Sequence, residues 1–328
     1  MGANRARMNT LAFGVGCHKT AIRDPPLESK PTMMSIAKRE PGAPVSAPGR
    51  PPEIEDPTNR YFVHPTSRAL VDRLVGTRIT PNQVSMSSVF VALGAGICIL
   101  ELRWPWTALG ALPLLILGHV LDGADGDLAR RTGRASPNGE LIDGICDHAS
   151  QLLIYFSLAF LLQRSIGVWP AWILAWSAGA AHFVQANAYE TGRKTYRRWV
   201  YGAPWMRQTG PGEGGVGRAL AGVYLALSNL LGPGEIQVES AMDARLAEGE
   251  ASAVNARRLY SEVFAPLVKR SAILGANTRT MAIFACLLIA RPAWYFLFEL
   301  TILNVALIAL VRRRASLNRS FVARLEAV

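Results

Sequence analysis

The sequence predicts an all-α, polytopic membrane protein with about six transmembrane helices, preceded by a juxtamembrane amphipathic helix. Three observations carry that prediction. Half of the 328 residues are hydrophobic and the mean hydropathy is +0.18, unusual for a soluble enzyme. The apolar residues gather into runs of roughly 20, the length that crosses a bilayer. Lys and Arg total 35 against 24 Asp and Glu, a net charge of +11, and the basic residues collect near the ends of those runs. Such a balance suits nucleic acid or a membrane surface. The apolar runs decide for the bilayer and against nucleic acid.

Taken in order, residues 1–56 read as a disordered, proline-rich cytoplasmic tail with few large apolar residues and no periodicity. Met33 or Met34 is a candidate native start within it. No secretory signal follows Arg5 and Arg7, so the first membrane helix is expected to act as the targeting signal. Pro65 to Val75 places Leu70, Val71, Leu74 and Val75 opposite Arg68, Asp72 and Arg73, an amphipathic helix for the headgroup region. Thr80-Pro81-Asn82-Gln83 is a helix start: Thr80 as cap, proline at the first position, Gln83 closing a capping box.

The spans are predicted at Val84 to Leu102, Trp106 to Gly126, Leu141 to Leu162, Val168 to Tyr189, Leu274 to Ala290 and Ala293 to Val311. Residues 57–190 thus hold the juxtamembrane helix and the first four spans, and residues 274–328 the last two with a basic C-terminal tail. Between them, residues 191–273 are a cytoplasmic or interfacial insertion, longer than an ordinary helical connection. Its apolar segment, Val216 to Leu231, is interrupted by Arg218 and Ser228 and is read as a helix resting on the membrane rather than a seventh span.

Orientation follows from the charges. Arg73 and Arg78, then Arg130, Arg131 and Arg134, then Arg193, Lys194, Arg197 and Arg198, then Arg312, Arg313 and Arg314 fall on one side. The other side offers Arg103, Arg164 and Arg291. The positive-inside rule then places both termini of this multi-pass protein in the cytoplasm. The four cysteines, Cys17, Cys98, Cys146 and Cys286, have neither metal-finger spacing nor the pattern of a disulfide framework.

The chemistry is concentrated between the second and third spans, in DGADGDLARRTGRASPNGELIDGICD. A helix turns about 100° per residue, so Asp122 with Asp125 and Asp143 with Asp147 each share a face. Gly126 and Ala129 lie on the first acidic face, and Gly139 on the second if the helix starts that early. Small residues beside the carboxylates leave room for a ligand. Carboxylates at a membrane boundary are expensive and usually mark an ion or substrate site. Four of them together repel unless cations sit between them. Hard divalent cations, Mg²⁺ or Mn²⁺, take such oxygen ligands.

At these eight positions (Asp122, Asp125, Gly126, Ala129, Arg130, Gly139, Asp143 and Asp147) the chain resembles the CDP-alcohol phosphotransferase (CDP-alcohol phosphatidyltransferase) family. The resemblance is strong over the motif and looser over about residues 57–190. It implies transfer of a phosphate-linked group from a CDP-activated donor to an alcohol acceptor with release of CMP, by a homodimer. It implies two divalent cations, with Asp122, Asp125 and Asp143 chiefly as ligands. Asp147 is implied as a further ligand and as general base for the acceptor hydroxyl. Gly126, Ala129, Arg130 and Gly139 are implied at the CDP moiety.

Arg193 and Arg197 are explained by topology, and are also candidates for gripping an acceptor phosphate. Asp127, about 140° round from Asp122, is expected to face solvent or a partner helix. His119, His148 and His182 are expected to be core polar residues.

Six spans favour a phosphatidyltransferase in phospholipid biosynthesis, using CDP-diacylglycerol and a small polar alcohol such as inositol or an inositol phosphate. A choline/ethanolamine-type phosphotransferase, with a soluble CDP-alcohol and a lipid acceptor, is the alternative, because Ser136-Pro137 and Gly139-Glu140-Leu141 resemble those enzymes. From a different class, a polytopic cation transporter would use the same aspartates but usually shows inverted repeats and interrupted spans, which are not evident here. An intramembrane prenyltransferase would space its aspartates differently.

Overall fold

The computed structural model describes residues 51–203, 222 and 226–327, with the side chains of residues 137, 138, 140 and 141 left aside. The proline-rich tail up to residue 50, with Met33, Met34 and Cys17, lies outside these residues, as does most of the apolar segment Val216 to Leu231. The described chain is helical, with no strand among the described residues. Five stretches are long and apolar enough to cross a membrane: Pro81–Glu101, Trp106–Arg131, Ile142–Ile166, Glu250–Leu288 and Ala293–Glu326. A sixth long helix, α5 (Val168–Tyr201), has the length but carries Trp169, Trp172, Trp176, His182 and Gln185 along the stretch expected to span.

Helix α1 (His64–Leu74) follows one wide turn over residues 59–63. Its apolar side does not lie on lipid alone. Val71 is fully buried against Val84, Ala124 and Leu128, and Ser67 Oγ donates to Val120 O at 2.9 Å. Helix α2 (Pro81–Glu101) begins where the sequence signal places it. Gln83 N–H donates to Thr80 Oγ1 at 3.3 Å and Thr80 N–H to Gln83 Oε1 at 2.8 Å, the reciprocal box.

Helix α3 (Trp106–Arg131) continues five residues past Gly126, and α4 (Pro137–Ile166) starts four residues before Leu141. The early start of α4 has a cause: Ser136 caps it, accepting from Gly139 N–H at 3.1 Å, with Pro137 at the first position. These two helices pack with α2 and α5 around alanines (Ala92, Ala95, Ala108, Ala111, Ala159, Ala171, Ala175, Ala178) that allow close approach.

Beyond α5 come α6 (Glu235–Ala247), α7 (Glu250–Arg270), α8 (Ala276–Leu288), α9 (Ala293–Phe298) and α10 (Asn304–Glu326). The insertion is more than a surface appendage. Val238, Met242, Tyr260 and Phe264 form a second core with Tyr196 and Trp199 from the end of α5, Phe321 and Leu325 from the end of α10, and Ile54. Helices α5 and α10 therefore run past the expected span ends at Tyr189 and Val311 because their extensions have apolar partners.

A buried polar network joins the two halves of the bundle. Arg279 Nε donates to Glu299 Oε1 at 2.8 Å, Tyr155 OH to Glu299 Oε2 at 2.5 Å, and His182 Nδ1 lies 3.2 Å from Glu299 Oε1. Gln185 bridges them, accepting from Arg279 Nη2 at 2.7 Å and donating to the Glu299 carbonyl at 3.1 Å. At the α2–α3, α4–α5 and α8–α9 connections, Trp104, Trp106, Trp169 and Trp294 are exposed, an aromatic girdle of the kind found at a membrane interface.

Candidate active site

The site forms in the C-terminal half of α3 and the N-terminal half of α4, beside the start of α2. Asp122, Asp143 and Asp147 each offer a carboxylate oxygen, and these oxygens lie within 4.8 Å of one another. Asp122 and Asp147 are exposed and Asp143 is half-buried, so the cluster opens outward from the bundle. Two helices supply it because the turn between them is short: Thr132 to Ser136, with Gly133 at φ 66°.

Asp125 differs from the other three in its burial. It is 4 % exposed, and its Oδ2 accepts from Ser85 Oγ of α2 at 2.5 Å. Sequence reasoning missed Ser85, which sits 40 residues away with nothing local to distinguish it from a core serine.

The small residues lie where the acidic faces predict. A side chain added at Gly126 would bring its Cβ within 3.3 Å of the Arg130 guanidinium; one added at Gly139 would sit 3.2 Å from Ser136 Oγ and 3.7 Å from Asn82 Oδ1. Because α4 begins at Pro137, Gly139 is helical and shares a face with Asp143. Ala129 is half-buried on α3. Arg130 is half-exposed and ion-paired to Asp127, which is therefore engaged within the protein.

On α5, Arg193 Nη1 donates to Glu190 Oε1 at 2.8 Å, and its guanidinium stands 5.3 Å from the Tyr189 ring centre. Arg193 lies within coulombic reach of Asp122, and Glu190 within that of Asp147. Arg197 is half-buried one turn further on. His148 Nδ1 donates to Gly144 O at 2.6 Å, and His119 Nε2 meets Thr280 Oγ1 at 2.7 Å.

The donor chemistry fits a hard divalent cation. The converging atoms are all carboxylate oxygens, the ligand type of Mg²⁺ and Mn²⁺. Among the described residues the neighbouring thiol is that of Cys146, which is buried.

Fold and site together define a polytopic helical membrane protein with an oxygen-donor acidic centre between two neighbouring helices. Residues 78–209, which contain that centre, match the family model described as CDP-alcohol phosphatidyltransferase, so this part of the chain is similar to that family. A curated relative is the protein named "Bifunctional IPC transferase and DIPP synthase" of Rubrobacter xylanophilus, 36% identical over 107 residues. The match covers 32% of this chain and 23% of that relative, so the chain spans about a quarter of the relative's length.

Proposed function

We propose that this chain is a divalent-cation-dependent CDP-alcohol phosphotransferase that moves a phosphatidyl group from CDP-diacylglycerol to a small polar alcohol and releases CMP. The observation that carries the reading is the convergence of Asp122, Asp143 and Asp147 within 4.8 Å, inside the segment that matches the family.

The acceptor oxygen forms a bond to the phosphorus carrying the lipid, and the bond from that phosphorus to the oxygen of CMP breaks. Asp122, Asp125, Asp143 and Asp147 would together hold two cations, Mg²⁺ or Mn²⁺. When bound, these ions would neutralise the diphosphate and the leaving oxygen. Asp147 takes the acceptor hydroxyl proton. Gly126, Ala129 and Gly139 leave space for the CDP moiety against the two helices, and Arg130 adds a positive charge beside the phosphates. Transfers of this kind depend on alignment and charge neutralisation more than on covalent help.

Arg193, within coulombic reach of Asp122, is the cation that would meet an acceptor that itself bears a phosphate, with Arg197 one turn further along α5 as the second candidate. An inositol phosphate is the acceptor we favour.

The α5 helix completes six spans, with its exposed Trp169, Ile173 and Trp176 toward lipid. Basic residues then place both termini and the aspartates on the cytoplasmic side, as in a bacterial inner-membrane enzyme, and a homodimer is the expected assembly.

The test is CMP release by the purified protein in detergent. CDP-diacylglycerol is supplied with a panel of alcohols that includes inositol and inositol phosphate, and CDP-choline with diacylglycerol. The reading expects CMP with CDP-diacylglycerol and a small alcohol. CMP only from CDP-choline and diacylglycerol would reverse the donor and acceptor, and no CMP from any pair would overturn the enzyme.

A further inference from the structure

Resting on the cation reading above, we infer that Ser85 is a positioning residue: its hydroxyl locks the Asp125 carboxylate in the orientation that completes the cation site.

The geometry is specific. Ser85 and Asp125 are each 4 % exposed, and the Ser85 Oγ to Asp125 Oδ2 distance is 2.5 Å, in the range of a charge-assisted O–H···O⁻ bond. A second contact, Ser85 Oγ to Pro81 O, is longer at 3.3 Å, so the single hydroxyl proton goes to the carboxylate. The other oxygen, Oδ1, accepts from Gly126 N–H at 2.5 Å. Asp125 also contacts the Asp143 carboxyl, which belongs to the converged set.

The carboxylate has four lone-pair sites; Ser85 and the Gly126 N–H take one on each oxygen, and a cation would take the side on which Asp125 now meets Asp143. With both oxygens held, the side chain cannot rotate away from the cluster. Outer hydrogen bonds of this type orient metal-ligating carboxylates, and their loss typically weakens metal binding about 10–100-fold.

The placement of Ser85 is itself well determined. It lies one turn past Pro81, on a helix whose start is fixed by the Thr80–Gln83 capping box, and Ser88 Oγ donates to the Ser85 carbonyl at 2.6 Å. The serine is thus a fixed post on α2 against which a ligand of α3 is set.

The experiment measures Mn²⁺ binding by electron paramagnetic resonance to the purified full chain in detergent, without substrate, for wild type, Ser85→Ala and Ser85→Thr. Thermal unfolding of each is followed in parallel. The expected result is a 10–100-fold weaker affinity in Ser85→Ala at a folded baseline, with Ser85→Thr, which keeps the hydroxyl, restored to within a few-fold. Wild-type affinity in a folded Ser85→Ala protein overturns the inference alone, as does a Thr variant as impaired as the Ala variant. Absence of Mn²⁺ binding by the wild type overturns the cation reading together with it.

Discussion

At the residue scale, the four aspartates do not stand in equivalent surroundings. Asp122 and Asp147 are exposed, whereas Asp125 is buried under a serine hydroxyl. The proposed base, Asp147, is exposed to an arriving acceptor, as is Asp122. Asp147→Asn is expected to lower CMP release by about 10²–10⁴-fold, the usual contribution of a positioned base, with the fold retained. Full activity in that variant would remove Asp147 from the chemistry. Arg193→Ala is expected to raise KM for a phosphorylated acceptor more than for an uncharged alcohol, measured over the two acceptors side by side.

The aspartates, glycines and Arg130 were readable from sequence because one helical period relates them. Ser85 and Asn82 were not, because each depends on how a neighbouring helix turns toward the site, whereas the Asp127–Arg130 pair, three residues apart on α3, follows from the same helical period.

At the scale of single elements, the caps were written locally and the long-range polar partners were not. Thr80-Pro81-Asn82-Gln83 marks the start of α2, and the bonds are present. Thr80→Ala removes one of them and is expected to lower stability by about 1 kcal/mol, read from denaturant unfolding. The Arg279–Glu299 pair gave no such sign: two charges in separate apolar runs, 20 residues apart, announce only that something must neutralise them. In the fold they meet at 2.8 Å, with Glu299 fully buried in a wide turn between α9 and α10. Arg279→Met should destabilise by about 3–5 kcal/mol, since it strands a buried carboxylate. Adding Glu299→Leu should recover much of that loss, measured by thermal unfolding in detergent. A double variant no better than the single one would mean that the network matters beyond this charge pair.

At the scale of the whole molecule, an all-helical membrane protein was legible from hydropathy alone, because apolar runs of bilayer length admit few other structures. What composition did not reveal was the second core, where the insertion, Ile54 and the extensions of α5 and α10 pack together. Helix α5 explains part of the difficulty. Its tryptophans and buried Gln185 dilute its apolarity, since one face meets the polar network rather than lipid. The proposed orientation has a direct consequence in a cysteine-free background. A cysteine at Arg134 should react with an impermeant thiol reagent only from the cytoplasmic side, and one at Trp104 only from the opposite side. Labelling of both positions from one side would contradict the topology.

The most direct test of the central claim is the divalent-cation dependence of CMP release from CDP-diacylglycerol in chelator-treated, purified protein. The account predicts no turnover until Mg²⁺ or Mn²⁺ is restored, and no restoration at the same cation levels in Asp122→Asn or Asp143→Asn. CMP release that persists in chelator, or that those variants sustain at the wild-type rate, would contradict it.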